Sequence, residues 1–444
     1  MVSTRGAQLL ALLERLDRSE RLPPARIEQE QFERLAALTK HAVGRIAFYR
    51  DRFAAAGIDS GAALTQELWR RLPVLERAEV QAHGEALCCR TLPPDCRVAG
   101  EVHTSGATGR PIRVLKTDFE QLLWEALTLR DHRWHRRDFA GTLAAIRWYP
   151  DGVAAPPAGQ RWPDWGAPVA HVCPSGPSCG LSIAASSAQQ AHWLGTVQPD
   201  YLVAFPSLLP DLVRECRKQG VELARLKHIR TVSECVDAAT RALCREAWGV
   251  PLHDIYSAQE VGYIALQCPD SGNYHVQAES AYVEILNEAG DPCGAGESGR
   301  VVVTPLYNFA MPLLRYALGD FAEAGAACTC GRGLPVIRRI LGRTRNMLTL
   351  PDGGRLWPRL SELRYAEILP VEQFQLVQKS LSLLELRLVA ARRATADEER
   401  RLRDTIVARI GHPFDIDFSY PERIARGATG KFEDFRSELP DNAA

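Results

Sequence analysis

The sequence predicts an α/β protein in two parts, a large layered N-terminal domain followed by a small α+β domain. Three observations predict it. At 444 residues the chain is long for one hydrophobic core and fits a large domain plus a small one. Between Pro199 and Val232 an apolar run of strand length, an amphipathic run of helical length and a second strand-like run follow one another. After Arg343 the pattern changes to period-two strands around a single amphipathic helix.

The elements can be justified in order. Residues 1 to 21 mix charges into a helical pattern and lack the apolar core of a signal peptide. Residues 25 to 85 carry apolar positions at helical spacing, and the glycine- and proline-rich run from Pro156 to Gly176 reads as a loop inside a domain. Tyr201-Leu-Val-Ala-Phe205 is continuously apolar, as a parallel strand buried on both faces requires. Ser207 is placed to cap the next helix, whose Leu208, Leu212, Val213 and Cys216 share one face before Gly220 stops it. His228-Ile-Arg-Thr-Val232 is the following strand. Such alternation builds a parallel sheet with ligands at the C-terminal ends of its strands, and Glu234 and Tyr256 each follow a strand-like run. Beyond Arg343, Leu384-Glu-Leu-Arg-Leu388 and Phe414-Asp-Ile-Asp-Phe418 alternate as half-buried strands. Between them Thr395 and Glu398 form a capping box, Leu402, Ile406 and Ile410 form an apolar stripe, and Gly411 ends the helix.

Composition excludes several classes. The formal net charge is zero, so there is no electrostatic footprint for nucleic acid. No apolar run approaches membrane-spanning length. Twelve cysteines in a chain this long read as reduced thiols, and a cytoplasmic location is expected. Of the 54 lysines and arginines only six are lysines, which singles out Lys431 in Arg426-Gly-Ala-Thr-Gly-Lys431. A lysine there is a compact, mobile point charge where an arginine would be a rigid fork.

Short motifs run along the chain in one order. Thr104-Ser105-Gly106-Ala107-Thr108-Gly109-Arg110-Pro111 is a glycine- and hydroxyl-rich stretch. Taken alone it is either an ordinary surface turn or an anion-binding concavity of backbone N–H groups with added hydroxyl donors. It is not the common P-loop, because no Gly-Lys-Ser/Thr ends it. Then come Tyr256-Ser257-Ala258-Gln259-Glu260, Tyr316-Ala-Leu-Gly-Asp320, Leu341-Gly-Arg343 and Gly430-Lys431. No convincing Ser/His/Asp nucleophile arrangement accompanies them. Separately, Cys268, His275, Cys328 and Cys330 are either four ligands of a closed zinc site or loop residues with free thiols.

In this order the motifs resemble the adenylate-forming superfamily and, within it, the phenylacetate–CoA ligase branch, over roughly residues 30 to 436. The resemblance implies two half-reactions: formation of an acyl-adenylate from a carboxylate and Mg-ATP, then displacement of AMP by a thiol, usually coenzyme A. It implies an N-terminal AMP-binding domain (1–342), a hinge (343–346) pivoting at Arg345, and a mobile C-terminal lid (347–444). Thr104, Ser105, Gly106, Thr108 and Gly109 match the phosphate loop, with Ala107 and Arg110 standing where many relatives have threonine and lysine. Ser233 and Glu234 fit the segment that borders the adenine, as does Tyr256 with Ser257; Glu260 falls on the magnesium side. Asp320 fits the ribose-binding aspartate, Arg343 a ribose or phosphate contact, and Lys431 the catalytic lysine bridging substrate carboxylate and α-phosphate.

The acyl pocket implied by the resemblance uses Trp148, Tyr149 and the turn Pro174-Ser175-Gly176, closed by Ser257 and Ala258. No carboxylate stands out to hold an α-ammonium, which points to an aromatic acid such as phenylacetate, benzoate or anthranilate. The expected cofactors and co-substrates are ATP, Mg2+ and coenzyme A, with a possible structural Zn2+. The alternatives are transfer of the adenylate to a carrier-protein thiol or an amine, with an acyl carrier or acyltransferase as partner. From a different class, the alternative is a non-catalytic nucleotide-binding protein on the same scaffold, against which the intact Glu260, Asp320, Arg343 and Lys431 argue.

Overall fold

The structure, a computed structural model, describes residues 3–59, 63–104, 111–343, 346–358, 365–426 and 432–439. The chain opens with helices α1 (Thr4–Ser19), α2 (Pro24–Arg45), α3 (Ala47–Ala55), α4 (Gln66–Arg71) and α5 (Arg77–His83). A hairpin of β1 (Val98–His103) and β2 (Arg113–Thr117) leads into α6 (Asp118–Trp134). Next come β3 (Leu143–Arg147), β4 (Gln160–Trp162), α7 (Ala167–Ala170), β5 (Ser178–Ser182), α8 (Ser187–Val197) and β6 (Tyr201–Ala204). The large domain continues through α9 (Leu209–Gln219), β7 (His228–Thr231), α10 (Ala238–Trp248) and β8 (Leu252–Ala258). Antiparallel strands β9 (Gly262–Gln267), β10 (Tyr274–Val276), β11 (Ala281–Leu286), β12 (Ser298–Pro305), β13 (Tyr316–Ala324) and β14 (Val336–Arg343) follow.

These strands join one mixed sheet of order β11-β12-β13-β14-β10-β9-β8-β7-β6-β3-β5-β4. Strands β5, β3, β6, β7 and β8 run parallel. Both faces of that section are covered, which is why Tyr201–Ala204 is buried at every position. One face packs on Trp193, Leu194, Leu209, Leu212, Cys216 and Cys244 from α8, α9 and α10. The other packs on Leu123 and Leu127 of α6, backed by Leu9 and Leu13 of α1. Because β3 has β5 on one side and β6 on the other, its C-terminal end is a topological switch point, where such sheets open a crevice.

Gly220 ends α9 in the left-handed conformation (φ 65°), as its sequence position predicts. Ser207 does not cap that helix. It lies in a 3-10 turn (Pro206–Leu208), and α9 begins after Leu208 without a side-chain cap. The hydroxyl and amide of Ser207 are used elsewhere, as described below.

The C-terminal part has its own core. After β15 (Leu348–Thr349), β16 (Arg355–Leu356) and α11 (Tyr365–Ile368) come β17 (Val371–Gln378), β18 (Leu383–Ala390), α12 (Ala396–Ile410), β19 (Asp415–Ser419) and β20 (Phe435–Ser437). The sheet order is β19-β18-β17-β20, and Leu376, Leu384, Leu386 and Leu388 pack on Leu402, Ile406 and Ile410 of α12. The Thr395–Glu398 capping box is formed and Gly411 closes the helix in the left-handed conformation. Among the described residues no helix is long and apolar enough to cross a membrane.

Candidate active site

The C-terminal end of parallel strand β8 and the end of the β13–β14 pair that carries Asp320 and Arg343 converge on one polar cluster. Tyr256, near the end of β8, donates its hydroxyl to Asp320 Oδ2 at 2.8 Å. Asp320 and Arg343 are directly paired across β13 and β14, and Arg343 Nε lies 3.2 Å from Asp320 Oδ1. Two residues far from Asp320 along the chain thus share its two oxygens. Burial pushes the Tyr256 phenol well above its ordinary range, and the adjacent Asp320 carboxylate adds to that, so Tyr256 acts as a donor at neutral pH. Burial works against the Arg343 charge, yet Asp320 and Glu260 more than restore it. Arg315, the residue before the Tyr316 motif, points away: Glu284 and the carbonyl of Arg70 take its guanidinium at 3.0 and 2.8 Å.

Glu260, buried, sits on the other side of the cluster. Its partner is one that sequence reasoning missed. Arg77, at the start of α5, places Nη1 3.4 Å from Glu260 Oε1 and donates through Nη2 to Thr104 Oγ1 at 2.7 Å. Thr104 also accepts from Ile112 N at 2.9 Å, which closes the neck of the loop between β1 and β2. Lys116 on β2 donates to the Glu260 carbonyl at 2.7 Å. Arg77 and Lys116 therefore fasten the base of the glycine-rich loop to the Glu260 turn. The only available signal was that Lys116 is one of six lysines; Arg77 is one arginine among many. Ser105, Gly106, Thr108, Gly109, Arg345 and Lys431 lie outside the described residues.

Beyond β7, Ser233 holds a left-handed backbone conformation (φ 74°), sparsely populated for a residue with a side chain. The Glu234 carboxylate accepts from Ser207 N at 3.0 Å and from Phe432 N, in the C-terminal part, at 2.7 Å. The remaining pocket residues separate. Trp148, just past β3, is 54% exposed at the switch point. Tyr149 turns inward, stacked on Trp162 with ring centroids 6.1 Å apart and with Arg147 over its ring at 4.9 Å. Ser257 is exposed and Ala258 half-buried at the end of β8. Pro174, Ser175 and Gly176 are not brought to this edge. Gly176 N donates to Phe139 O, before β3, at 2.7 Å, and the Ser175 hydroxyl accepts from Trp165 N, so the turn lies at the N-terminal ends of β3 and β5.

A second cluster forms away from this edge. The ligand atoms of Cys268, His275, Cys328 and Cys330 all lie within 4.8 Å of one another, with His275 Nε2 3.2 Å from Cys330 Sγ. Pairing of β9 with β10 and of β10 with β14 brings the halves together across a long stretch of sequence. Burial raises the Cys268 thiol, but hydrogen bonds from His275 and Ser271 outweigh it and hold the thiol down at about 6. A tetrahedral zinc with ~2.3 Å metal–sulfur bonds needs ligand edges of ~3.8 Å, which this four-donor set can provide with small side-chain movement. His275 Nδ1 is buried without a partner.

The C-terminal residues 362–437 match the CapK C-terminal domain. A phenylacetate–coenzyme A ligase of Thermus thermophilus is 27% identical over 365 residues, 79% of this chain and 78% of that protein. The crystal structure of a 2-hydroxyisobutyryl-CoA ligase in its postadenylation state, with 2-HIB-AMP, superposes with a TM-score of 0.74 at 19% identity, covering 95% of this chain and 92% of that one. In its thioesterification state, with 2-HIB-AMP and CoA, the same ligase gives 0.61 at 19% identity and coverages of 95% and 91%. The named phenylacetate–coenzyme A ligase relatives support an AMP-forming acid–CoA ligase. The chain is thus similar to phenylacetate–coenzyme A ligases in sequence and shares the fold of adenylate-forming CoA ligases.

Proposed function

We propose that this enzyme activates an aromatic carboxylic acid of the phenylacetate or benzoate/anthranilate type. A carboxylate oxygen bonds to the α-phosphorus of Mg-ATP while the bond to the bridging oxygen breaks, releasing pyrophosphate and leaving an acyl-adenylate. The sulfur of coenzyme A then bonds to the acyl carbon, AMP departs, and the thiol proton passes to solvent. Such displacement at phosphorus relies on positioning and charge. The observation that carries the reading is the joining of Tyr256, Asp320 and Arg343 on one side with Glu260, Arg77 and Thr104 on the other, around the neck of a glycine-rich loop. Asp320 is assigned to the ribose hydroxyls, a role supported by the contacts of Tyr256 and Arg343 with its carboxylate. Glu260 is the carboxylate available to the magnesium of Mg-ATP. Lys431 is assigned to the charge that develops between carboxylate and α-phosphate.

Trp148 supports an aryl substrate, because its ring is exposed at the switch point while Tyr149 is taken up by Trp162. A ring burying on the order of 100 Å2 gains roughly 2.5 kcal/mol at ~25 cal/mol per Å2, about fifty-fold over acetate. The test is ATP–pyrophosphate exchange with phenylacetate, benzoate, anthranilate, acetate and octanoate, followed by mass analysis after adding coenzyme A. Acetate or octanoate leading the series would end the aryl reading; an adenylate that never becomes a CoA thioester would end the acceptor assignment.

We infer further that Cys268, His275, Cys328 and Cys330 hold a structural zinc. The supporting observation is the convergence of three sulfurs and one imidazole, the four-donor set of a closed structural site. Elemental analysis of carefully prepared protein is expected to give about one zinc per chain.

A further inference from the structure

Between the two domains, hydrogen bonding concentrates on a single carboxylate. Glu234 uses one oxygen on each side of the junction: Oε2 accepts from Ser207 N of the large domain at 3.0 Å, and Oε1 accepts from Phe432 N of the small domain at 2.7 Å. Arg426, also from the small domain, donates to Ser207 Oγ at 2.7 Å and lies 3.9 Å from Glu234 Oε1. Its guanidinium covers the Phe432 ring at 5.4 Å. Residues 426 and 432 bracket the segment that carries Lys431, and Phe432 is peptide-bonded to Lys431. The left-handed Ser233 turns the chain after β7 so that Glu234 meets this junction.

We propose that Glu234 and Arg426 are positioning residues that latch the small domain for acyl-adenylate formation, and that this latch must open before the thioester step. The proposal rests on the two-step reaction given above. Phe432 N and Arg426 belong to one body, and Ser207 and Glu234 to the other. Any rotation of the small domain about residues 343–346 therefore breaks the Phe432–Glu234, Arg426–Ser207 and Arg426–Glu234 contacts together, while the Ser207–Glu234 bond stays within the large domain. The chain is accordingly fastened in an arrangement closer to the postadenylation state of the 2-hydroxyisobutyryl-CoA ligase than to its thioesterification state. Both carboxylate oxygens accept from backbone N–H groups, so an amide at this position satisfies only one of them and turns an NH2 toward the other. An Arg426→Lys change keeps the charge but loses the fork that spans Ser207 and Glu234.

The experiment uses the full chain with Arg426→Ala, Arg426→Lys and Glu234→Gln, each checked for native melting. Two half-reactions are measured apart: ATP–pyrophosphate exchange, and single-turnover thioester formation from synthetic acyl-adenylate plus coenzyme A. Arg426→Ala is expected to lower exchange kcat about tenfold with KM for ATP within twofold, since Arg426 holds the domain and not the nucleotide. Thioester formation should be unchanged or faster, and Arg426→Lys should recover part of the exchange loss. Hydrogen exchange at the Ser207 and Phe432 amides, read without any substrate, should accelerate at least tenfold in Glu234→Gln. Equal losses in both half-reactions, a rise in KM without a fall in kcat, or unchanged amide exchange would each overturn the latch. Should no acid support pyrophosphate exchange, the two-step reading fails while the amide exchange still decides whether Glu234 fastens the junction.

Discussion

Replacing Arg77 with methionine removes the cation that spans the two halves of the site while keeping the length of the side chain. In the native protein Arg77 donates to Thr104 Oγ1 at 2.7 Å and stands 3.4 Å from Glu260 Oε1. A hydrogen bond to a charged group contributes ~1.5–3 kcal/mol. The Arg77 side chain is 26% exposed, which favours the lower half of that range. With ~1.4 kcal/mol per factor of ten in rate, the loss in kcat/KM for ATP is about tenfold to fortyfold. Arg77→Lys should recover little, because one ammonium cannot serve Thr104 and Glu260 in the same geometry. The assay is pyrophosphate exchange at saturating acid, with ATP varied and melting temperature as the control. A kcat/KM within twofold of the native value, in protein that melts normally, would refute the idea that Arg77 fastens the loop base to Glu260.

Tyr256→Phe removes the donor to Asp320 Oδ2 and leaves a buried carboxylate with one partner fewer; KM for ATP should rise about tenfold, the equivalent of ~1.4 kcal/mol, and an unchanged KM would count against Asp320 as the ribose acceptor. Cys330→Ala, or prolonged chelation, should loosen the β13–β14 loop and the contacts of Arg332 with Glu20 and Trp134 that tie α1 to it, read as faster proteolysis near residues 15–25; intact α1 in metal-free protein would argue against a structural zinc. His135, buried against His253 with ring centroids 3.8 Å apart, is pushed down to about 4 by burial, and the Arg137 charge adds to that against the opposing pull of Asp131. Its folded pKa lies below the unfolded value, so the unfolded chain takes up the proton first. Stability is full above pH ~6.5 and falls as pH drops toward 4, by up to ~3 kcal/mol from this residue. His135→Asn should flatten that acid limb in denaturant titrations at pH 7 and pH 4.5, and an identical pH dependence would refute the assignment.

The sequence alone determined what depends on local chemistry. A strand buried on both faces must be apolar throughout, so Tyr201–Ala204 announced a parallel strand, and a helix must satisfy its first amides, so Thr395 and Glu398 announced the start of α12. Tyr256, Glu260, Asp320 and Arg343 stood out as short motifs because glycine, hydroxyl and charged residues recur there in a recognisable order, and the fold brings all four to one edge. Other features were decided only by the tertiary structure. Sheet order makes Asp320 and Arg343 neighbours and carries Cys268 and His275 to Cys328 and Cys330, a pairing that spacing along the chain left open. Arg77 and Lys116 matter through contacts with residues far away in sequence, and nothing in their own surroundings marks them. The turn Pro174–Gly176 showed the reverse: its composition suits a pocket, but its hydrogen bonds to Phe139 and Trp165 hold it at the opposite end of the strands. Ser207 had the side chain of a helix cap, but its amide bonds Glu234 within the large domain and its hydroxyl accepts from Arg426 across the domain junction instead. Propensity and capping act over a few residues, whereas which carboxylate meets which cation is set by strand order and domain docking, and these are properties of the whole chain.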